Sequence, residues 1–108
     1  MRGSKYKAVR TEVDGISFAS KREANRYMQL TILQRAKQIS DLKLQVKCPI
    51  SINGIYVFSL VMDFVYWDRK NPDVPILVYE DCKGYRTDVY KLKRKCFEAQ
   101  YKSKILET

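Results

Sequence analysis

Histidine is absent from the 108 residues. That absence removes every mechanism built on an imidazole, including Ser-His-Asp hydrolysis, Cys-His proteolysis, His-ligated metal nucleases and H-E-x-x-H peptidases. Any general base must be a carboxylate, a lysine, a tyrosine or metal-bound water. Cysteine is sparse. Cys48, Cys82 and Cys96 are odd in number and form no Cys-x-x-Cys pair, which argues against a disulfide framework or a zinc site. The expectation is a reduced, intracellular protein with incidental thiols. No run of some 20 apolar residues exists to span a membrane. The start, Met1-Arg2-Gly3-Ser4-Lys5, lacks the apolar core of a signal peptide. Acidic residues are in deficit: 12 Asp plus Glu stand against 21 Lys plus Arg, for a net charge of +9. Such a balance favours an anionic partner, most often nucleic acid for a small domain.

The length fits one domain, and a 45% hydrophobic content can fill its core. Residues 1–15 read as a basic N-terminal arm, mobile or forming a short strand that leads through the Asp14-Gly15 turn signal to Ile16 and Phe18, and 16–108 as the domain proper. Ser20 to Ile39 reads as a helix. Ser20 is a good N-cap, and Glu23 three residues on completes a capping-box pattern. Ala24, Tyr27, Leu30 and Leu33 give it apolar positions at three- and four-residue spacing. Leu42 to Ile52 reads as a strand interrupted by Pro49. Asn53-Gly54 is a hairpin signal, and Ile55 to Trp67 is a long β-branched and aromatic strand. Ile76 to Lys83 reads as a third strand. Thr87 or Asp88 can cap a second helix running to Tyr101, and Lys104 to Leu106 suits a terminal strand. The order is α-β-β-β-α-β, an α/β (α+β) domain with one mixed sheet flanked by helices.

Asp63 sits inside the most apolar strand, Val61-Met62-Asp63-Phe64-Val65. An ionised carboxylate there is costly unless it is paired or binds a metal. The next strand reads Tyr79-Glu80-Asp81-Cys82-Lys83-Gly84. Side-chain alternation puts Tyr79, Asp81 and Lys83 on one face, able to meet Asp63 across adjacent strands, and Glu80 and Cys82 on the other. Glu23 adds a third carboxylate, although the capping box alone would account for it. An oxygen-rich pocket of this kind suits Mg²⁺, with Mn²⁺ as a substitute.

This constellation resembles the PD-(D/E)XK nuclease superfamily. Asp63 matches the isolated aspartate of that motif, Asp81-Cys82-Lys83 its (D/E)-x-K half, and Glu23 the glutamate of the first core helix. The element order matches as well. Further stretches (Ser20-Lys21-Arg22-Glu23-Ala24, Ile39-Ser40-Asp41-Leu42, Leu44-Gln45 and Lys91-Leu92-Lys93-Arg94-Lys95) are similar to a family of small bacteriophage proteins of unknown function placed among these nucleases. The likeness runs from about Tyr6 to Leu106. It departs from the pattern at Met62, where the superfamily often has proline.

The resemblance implies a restriction-endonuclease-like domain and a Mg²⁺-dependent DNA endonuclease. Such an enzyme would act in phage recombination, replication or packaging, in the cytoplasm of a bacterial host. On this pattern Asp63, Asp81 and the backbone carbonyl of Cys82 bind the metal. Glu23 binds or orients the metal or its water, Lys83 is the catalytic lysine, and Gln45 stands beside the site. The subunit size also implies a homodimer acting on branched DNA such as a Holliday junction.

The second helix carries Lys91, Lys93, Arg94 and Lys95 on a face away from the Tyr90, Phe97 and Tyr101 stripe. With Lys21, Arg22 and Arg26 around Glu23, these are the expected phosphate contacts, giving salt-dependent binding without strong sequence preference. The arm could add Arg2, Lys5, Lys7 and Arg10. No base-reading motif is present. The rival expectation is a non-catalytic nucleic-acid-binding protein on a nuclease-like fold.

Overall fold

Two helices cover opposite faces of a four-stranded mixed sheet in the computed structural model, which describes residues 9–82 and 86–108. The element order is β1 (Thr11–Val13), β2 (Ile16–Phe18), α1 (Lys21–Arg35), β3 (Ile39–Ile52), β4 (Ile55–Asp68), β5 (Ile76–Asp81), α2 (Asp88–Tyr101) and β6 (Ile105–Glu107). The sheet runs β3-β4-β5-β6. The first three strands are antiparallel, and β6 pairs parallel to β5 after the α2 crossover. This is the expected α-β-β-β-α-β order, with a small hairpin in front of it. No described helix is long and apolar enough to cross a membrane.

Local sequence explains the boundaries. Asp14 and Gly15 both adopt positive φ, 53° and 76°, which folds β1 back on β2. Of the two readings of this stretch, arm or short strand, Thr11 to Val13 take the strand. Ser20 caps α1 as its side chain accepts the Glu23 N–H at 3.1 Å, and Thr87 caps α2 by accepting the Tyr90 N–H at 3.0 Å. Helix α1 ends at Arg35 rather than Ile39, and β3 starts at Ile39. Lys37, at φ 61°, breaks the helical backbone between them. Pro49 does not interrupt β3. The strand lies at the sheet edge, where a missing N–H costs no ladder bond.

Each face has its own core. Under α2, Phe97 packs with Cys48, Ile50, Leu60, Met62, Val65 and Ile105. Under α1, Ala24 and Leu30 pack with Phe18, Ile39, Phe64 and Tyr66. The α2 stripe is as expected. Phe97 stacks on Tyr101 at 4.4 Å, and Tyr79 of β5 meets both rings edge-on.

Strict alternation fails at one level of the sheet. Leu60 and Met62 belong to the α2-side core, yet Phe64 and Tyr66, of the same parity, belong to the α1-side core. On β3, Cys48 and Val46 face α2 whereas Leu44 and Leu42 face α1. The register is unchanged across the break, with Val46↔Met62 and Leu44↔Phe64. Both strands thus switch face together at Gln45 and Asp63, and Gln45 adopts φ 53° to do so. A left-handed conformation in a non-glycine residue costs on the order of 1–2 kcal/mol. The reward is positional, because two polar side chains turn toward α1.

Candidate metal centre and nucleic-acid interface

Gln45 links two of the predicted site residues. Its Nε2 donates to Glu23 Oε2 at 2.9 Å and to Asp63 Oδ1 at 3.2 Å. Glu23 is buried in the first turn of α1. The other oxygen of Asp63, Oδ2, accepts the Cys82 backbone N–H at 2.8 Å. The Asp63 carboxylate is therefore oriented at both ends. The β4–β5 pairing stops at Phe64↔Glu80, so Asp63 stands opposite Asp81 one step further along the register. The two strands part at this point, and the Asp63 side chain takes the N–H that a continued ladder would occupy. Glu23, Gln45 and Asp63 line a cleft of about 380 Å³, walled by Ile16, Ser17, Phe18 and Leu44 with Arg10.

Asp81 is buried and faces a different set of partners. Strand alternation sends Tyr79 and Asp81 toward α2, and Glu80 and Cys82 toward α1. The Tyr90 hydroxyl at the start of α2 is held above its ordinary pKa, first by burial and then by the Asp81 charge beside it. It also donates to Glu107 Oε2 at 3.1 Å. Asp63 and Asp81 are thus backbone neighbours, as expected, but the face switch at Asp63 gives their side chains separate partners. Lys83, the expected catalytic lysine, lies outside the described residues, as do Arg2, Lys5 and Lys7. Among the described residues no group of three or more Cys, Asp or Glu gathers as a metal cage.

Burial raises the Cys82 thiol to about 11, against its hydrogen bond with Thr108 and with help from the charges of Asp63, Glu80 and Glu23. At neutral pH that cysteine stays protonated and unreactive. The three cysteines are free thiols.

The expected phosphate contacts divide into two groups. Lys21, Arg22, Lys91 and Lys95 are exposed. Arg26 and Arg94 hold internal ion pairs. Arg26 grips Glu80 through Nε at 2.5 Å and Nη2 at 3.0 Å. The Glu80 side chain is 0% exposed and also accepts the Tyr66 hydroxyl at 2.7 Å and the Thr108 hydroxyl at 3.2 Å. Arg94 meets Glu107 at 2.9 Å, and Arg86 meets the same carboxylate at 2.9 Å. Lys93 lies 5.4 Å over the Phe58 ring. Sequence reasoning missed the Arg26–Glu80–Tyr66 network and the Tyr90–Glu107 contact. Glu80 carried the usable signal, as a charge on the strand face opposite Asp81.

A family profile matches residues 3–107, nearly the whole chain. The chain belongs to the family described as Protein of unknown function (DUF1064). No curated protein and no solved structure matches it. The match extends over the described helices and strands and over every candidate site residue named above except Arg2.

Proposed function

We propose that the protein is a Mg²⁺-dependent DNA endonuclease of the PD-(D/E)XK type, built to cleave phosphodiester bonds without strong sequence preference. The observation that carries this reading is the coupling of Glu23 and Asp63 through the Gln45 amide, at the point where β4 and β5 diverge and Asp63 comes opposite Asp81. The donor set fits a hard divalent ion. Mg²⁺ takes one or two carboxylates and completes its shell with water and substrate oxygens, so a cage of three carboxylates is not required. Asp63, Asp81 and the Cys82 carbonyl would hold it. When bound, such an ion lowers the pKa of a coordinated water and offsets charge on a phosphate.

The chain's own contribution is preorganisation. Gln45 and the Cys82 N–H fix the Asp63 carboxylate, so that ligand is oriented in advance, whereas Asp81 would turn from Tyr90 to join it. Gln45 also holds Glu23 toward the same cleft, where it can orient a water. Lys83 follows Cys82 directly and supplies the cation that the resemblance assigns to catalysis. Lys21 and Arg22, beside Glu23, and Lys91 and Lys95 on α2 are exposed, without ion pairs among the described residues, and would meet backbone phosphates.

A homodimer fits the same reading. From Val46 to Met62 the β3–β4 hairpin has, among the described residues, no third strand beside it. From Cys48 to Met62 it carries no charged residue, in a chain that is 31% charged. Ile55 at 70%, Tyr56 at 58% and Val57 at 50% exposure make it the apolar surface best suited to a second copy.

The deciding experiment incubates the purified protein with supercoiled plasmid and a synthetic four-way junction in Mg²⁺, Mn²⁺ or EDTA. Asp63→Asn, Asp81→Asn and Lys83→Ala run alongside. Metal-dependent cleavage lost in all three variants is the expected result. Intact DNA with either metal, despite binding, refutes the enzyme reading in favour of a non-catalytic nucleic-acid-binding protein. Cleavage that survives the substitutions refutes the site assignment.

A further inference from the structure

The β1–β2 hairpin places one guanidinium at the rim of the carboxylate cleft. Arg10 lines the same cleft of about 380 Å³ as Glu23, Gln45 and Asp63. Its Nε donates to Ser17 Oγ at 3.1 Å and its Nη2 to the Ser17 carbonyl at 3.3 Å. Those two bonds use one side of the planar group. Among the described residues the Nη1/Nη2 end meets no other partner, and it presents two roughly parallel N–H donors. Among the described residues Arg10 has no carboxylate partner, although two carboxylates line the cleft with it. Arg26 and Arg94, by contrast, are both neutralised internally.

The hairpin that carries Arg10 is anchored rather than loose. Phe18 is buried against α1, with its ring 5.0 Å from that of Tyr27. The Tyr27 hydroxyl donates to Asp14 in the turn at 3.1 Å. Val13 and Ile16 pack on the α1-side core. A long cationic side chain is thus held in one orientation by its own hairpin before any ligand arrives, which lowers the entropic cost of binding.

We propose that Arg10 is a phosphate clamp, whose open guanidinium edge takes two oxygens of a substrate phosphodiester and seats the nucleic-acid backbone over the Glu23–Gln45–Asp63 cleft. A fork of two N–H donors matches a phosphate bidentately. The proposal rests on the DNA-cleavage reading for the identity of the anion. Ser17 is the positioning residue, acting only through Arg10.

The test separates the two ideas by measuring binding without catalysis. Fluorescence anisotropy with a labelled DNA duplex in EDTA, over a series of KCl concentrations, compares wild type with Arg10→Gln, Arg10→Lys and Ser17→Ala. Arg10→Gln should weaken binding several-fold and reduce the log–log salt slope by about one phosphate contact. Arg10→Lys should keep the slope but lose affinity, because an ammonium cannot make the two-pronged contact. Ser17→Ala should show a smaller affinity loss at unchanged slope, and none in the Arg10→Gln background. In Mg²⁺, Arg10→Gln should raise KM more than it lowers kcat. Wild-type affinity and slope in Arg10→Gln overturn the clamp, and so does a Ser17→Ala loss that is as large in the Arg10→Gln background as in wild type. If wild type binds DNA but leaves it intact in Mg²⁺ and Mn²⁺, the nuclease reading fails while the anisotropy series still decides Arg10. If wild type binds no DNA, both fail.

Discussion

Replacing Arg26 with alanine should unfold the protein far more readily while leaving DNA contacts largely intact. The magnitude follows from Glu80. Its carboxylate is fully buried and accepts two bonds from Arg26, one from Tyr66 and one from Thr108. Removing the guanidinium leaves a buried charge with two neutral donors. Breaking a buried pair from one side costs about 3–5 kcal/mol, and the partial exposure of the Arg26 side chain, 22%, argues for the lower end. A loss of about 3 kcal/mol is a large share of the roughly 5–15 kcal/mol that holds a small domain together. With a urea m-value of about 1–3 kcal/mol/M, the midpoint should fall by about 1–3 M. Urea titration followed by the fluorescence of Trp67, the sole tryptophan, reads it directly. Arg26→Met combined with Glu80→Met should recover part of the loss, since an apolar pair strands no charge. A loss below about 1 kcal/mol, typical of an exposed pair, would refute the assignment. So would an Arg26→Ala protein of normal stability whose DNA binding has collapsed.

Lys91→Ala and Lys95→Ala should each lower the salt slope of DNA binding by about one and weaken all sequences alike, which filter binding on two unrelated duplexes can check. Stability should also fall in alkali. The Tyr66 hydroxyl is held well above its ordinary value of 10.0 by burial and by its bond to Glu80. Its contribution is complete below pH 10 and is lost as pH rises toward the folded-state value, so Tyr66→Phe should flatten the decline in urea midpoint between pH 9 and 11. Glu107 works in the opposite range. Desolvation opposes its ionisation, but hydrogen bonds from Arg94 and Tyr90 outweigh it and lower the pKa. Glu107→Gln should therefore lose stability near neutrality and little more as pH falls through the carboxylate range, read as thermal midpoints from pH 7 to 3. Finally, Val57→Glu on the uncharged ribbon should shift a dimer to monomer in analytical ultracentrifugation without lowering the melting temperature. An unchanged sedimentation coefficient would remove the ribbon as the interface.

Much of the architecture is legible from local chemistry. Ser20 and Thr87 as caps, Asp14-Gly15 and Asn53-Gly54 as turns, and the Tyr90–Phe97–Tyr101 stripe are set by residues close together in sequence, and each appears where those residues place it. The candidate carboxylates were equally visible, because a charge such as Asp63 in an apolar strand is costly wherever that strand packs. Pro49 read as an interruption because sequence does not say which strand lies at the edge. Only the tertiary structure decided which faces the side chains take. Strict alternation counted from Leu60 and Met62 points Asp63 toward α1, and counted back from Phe64 and Tyr66 points it away, so local sequence leaves its face open. The joint switch of β3 and β4 at Gln45 and Asp63 depends on two strands agreeing, through pairing between residues some twenty positions apart. Likewise, sequence supplies seven cations near the expected site but cannot say which are free. The ion pairs to Glu80 and Glu107 take Arg26 and Arg94 out of that set, and the Ser17 contacts fix Arg10 at the cleft. Composition determined that this protein has no imidazole, an excess of positive charge and carboxylates in apolar strands. Long-range packing determined which of those charges face each other, because a charge is neutralised or left open only by what the fold brings within a few ångströms of it.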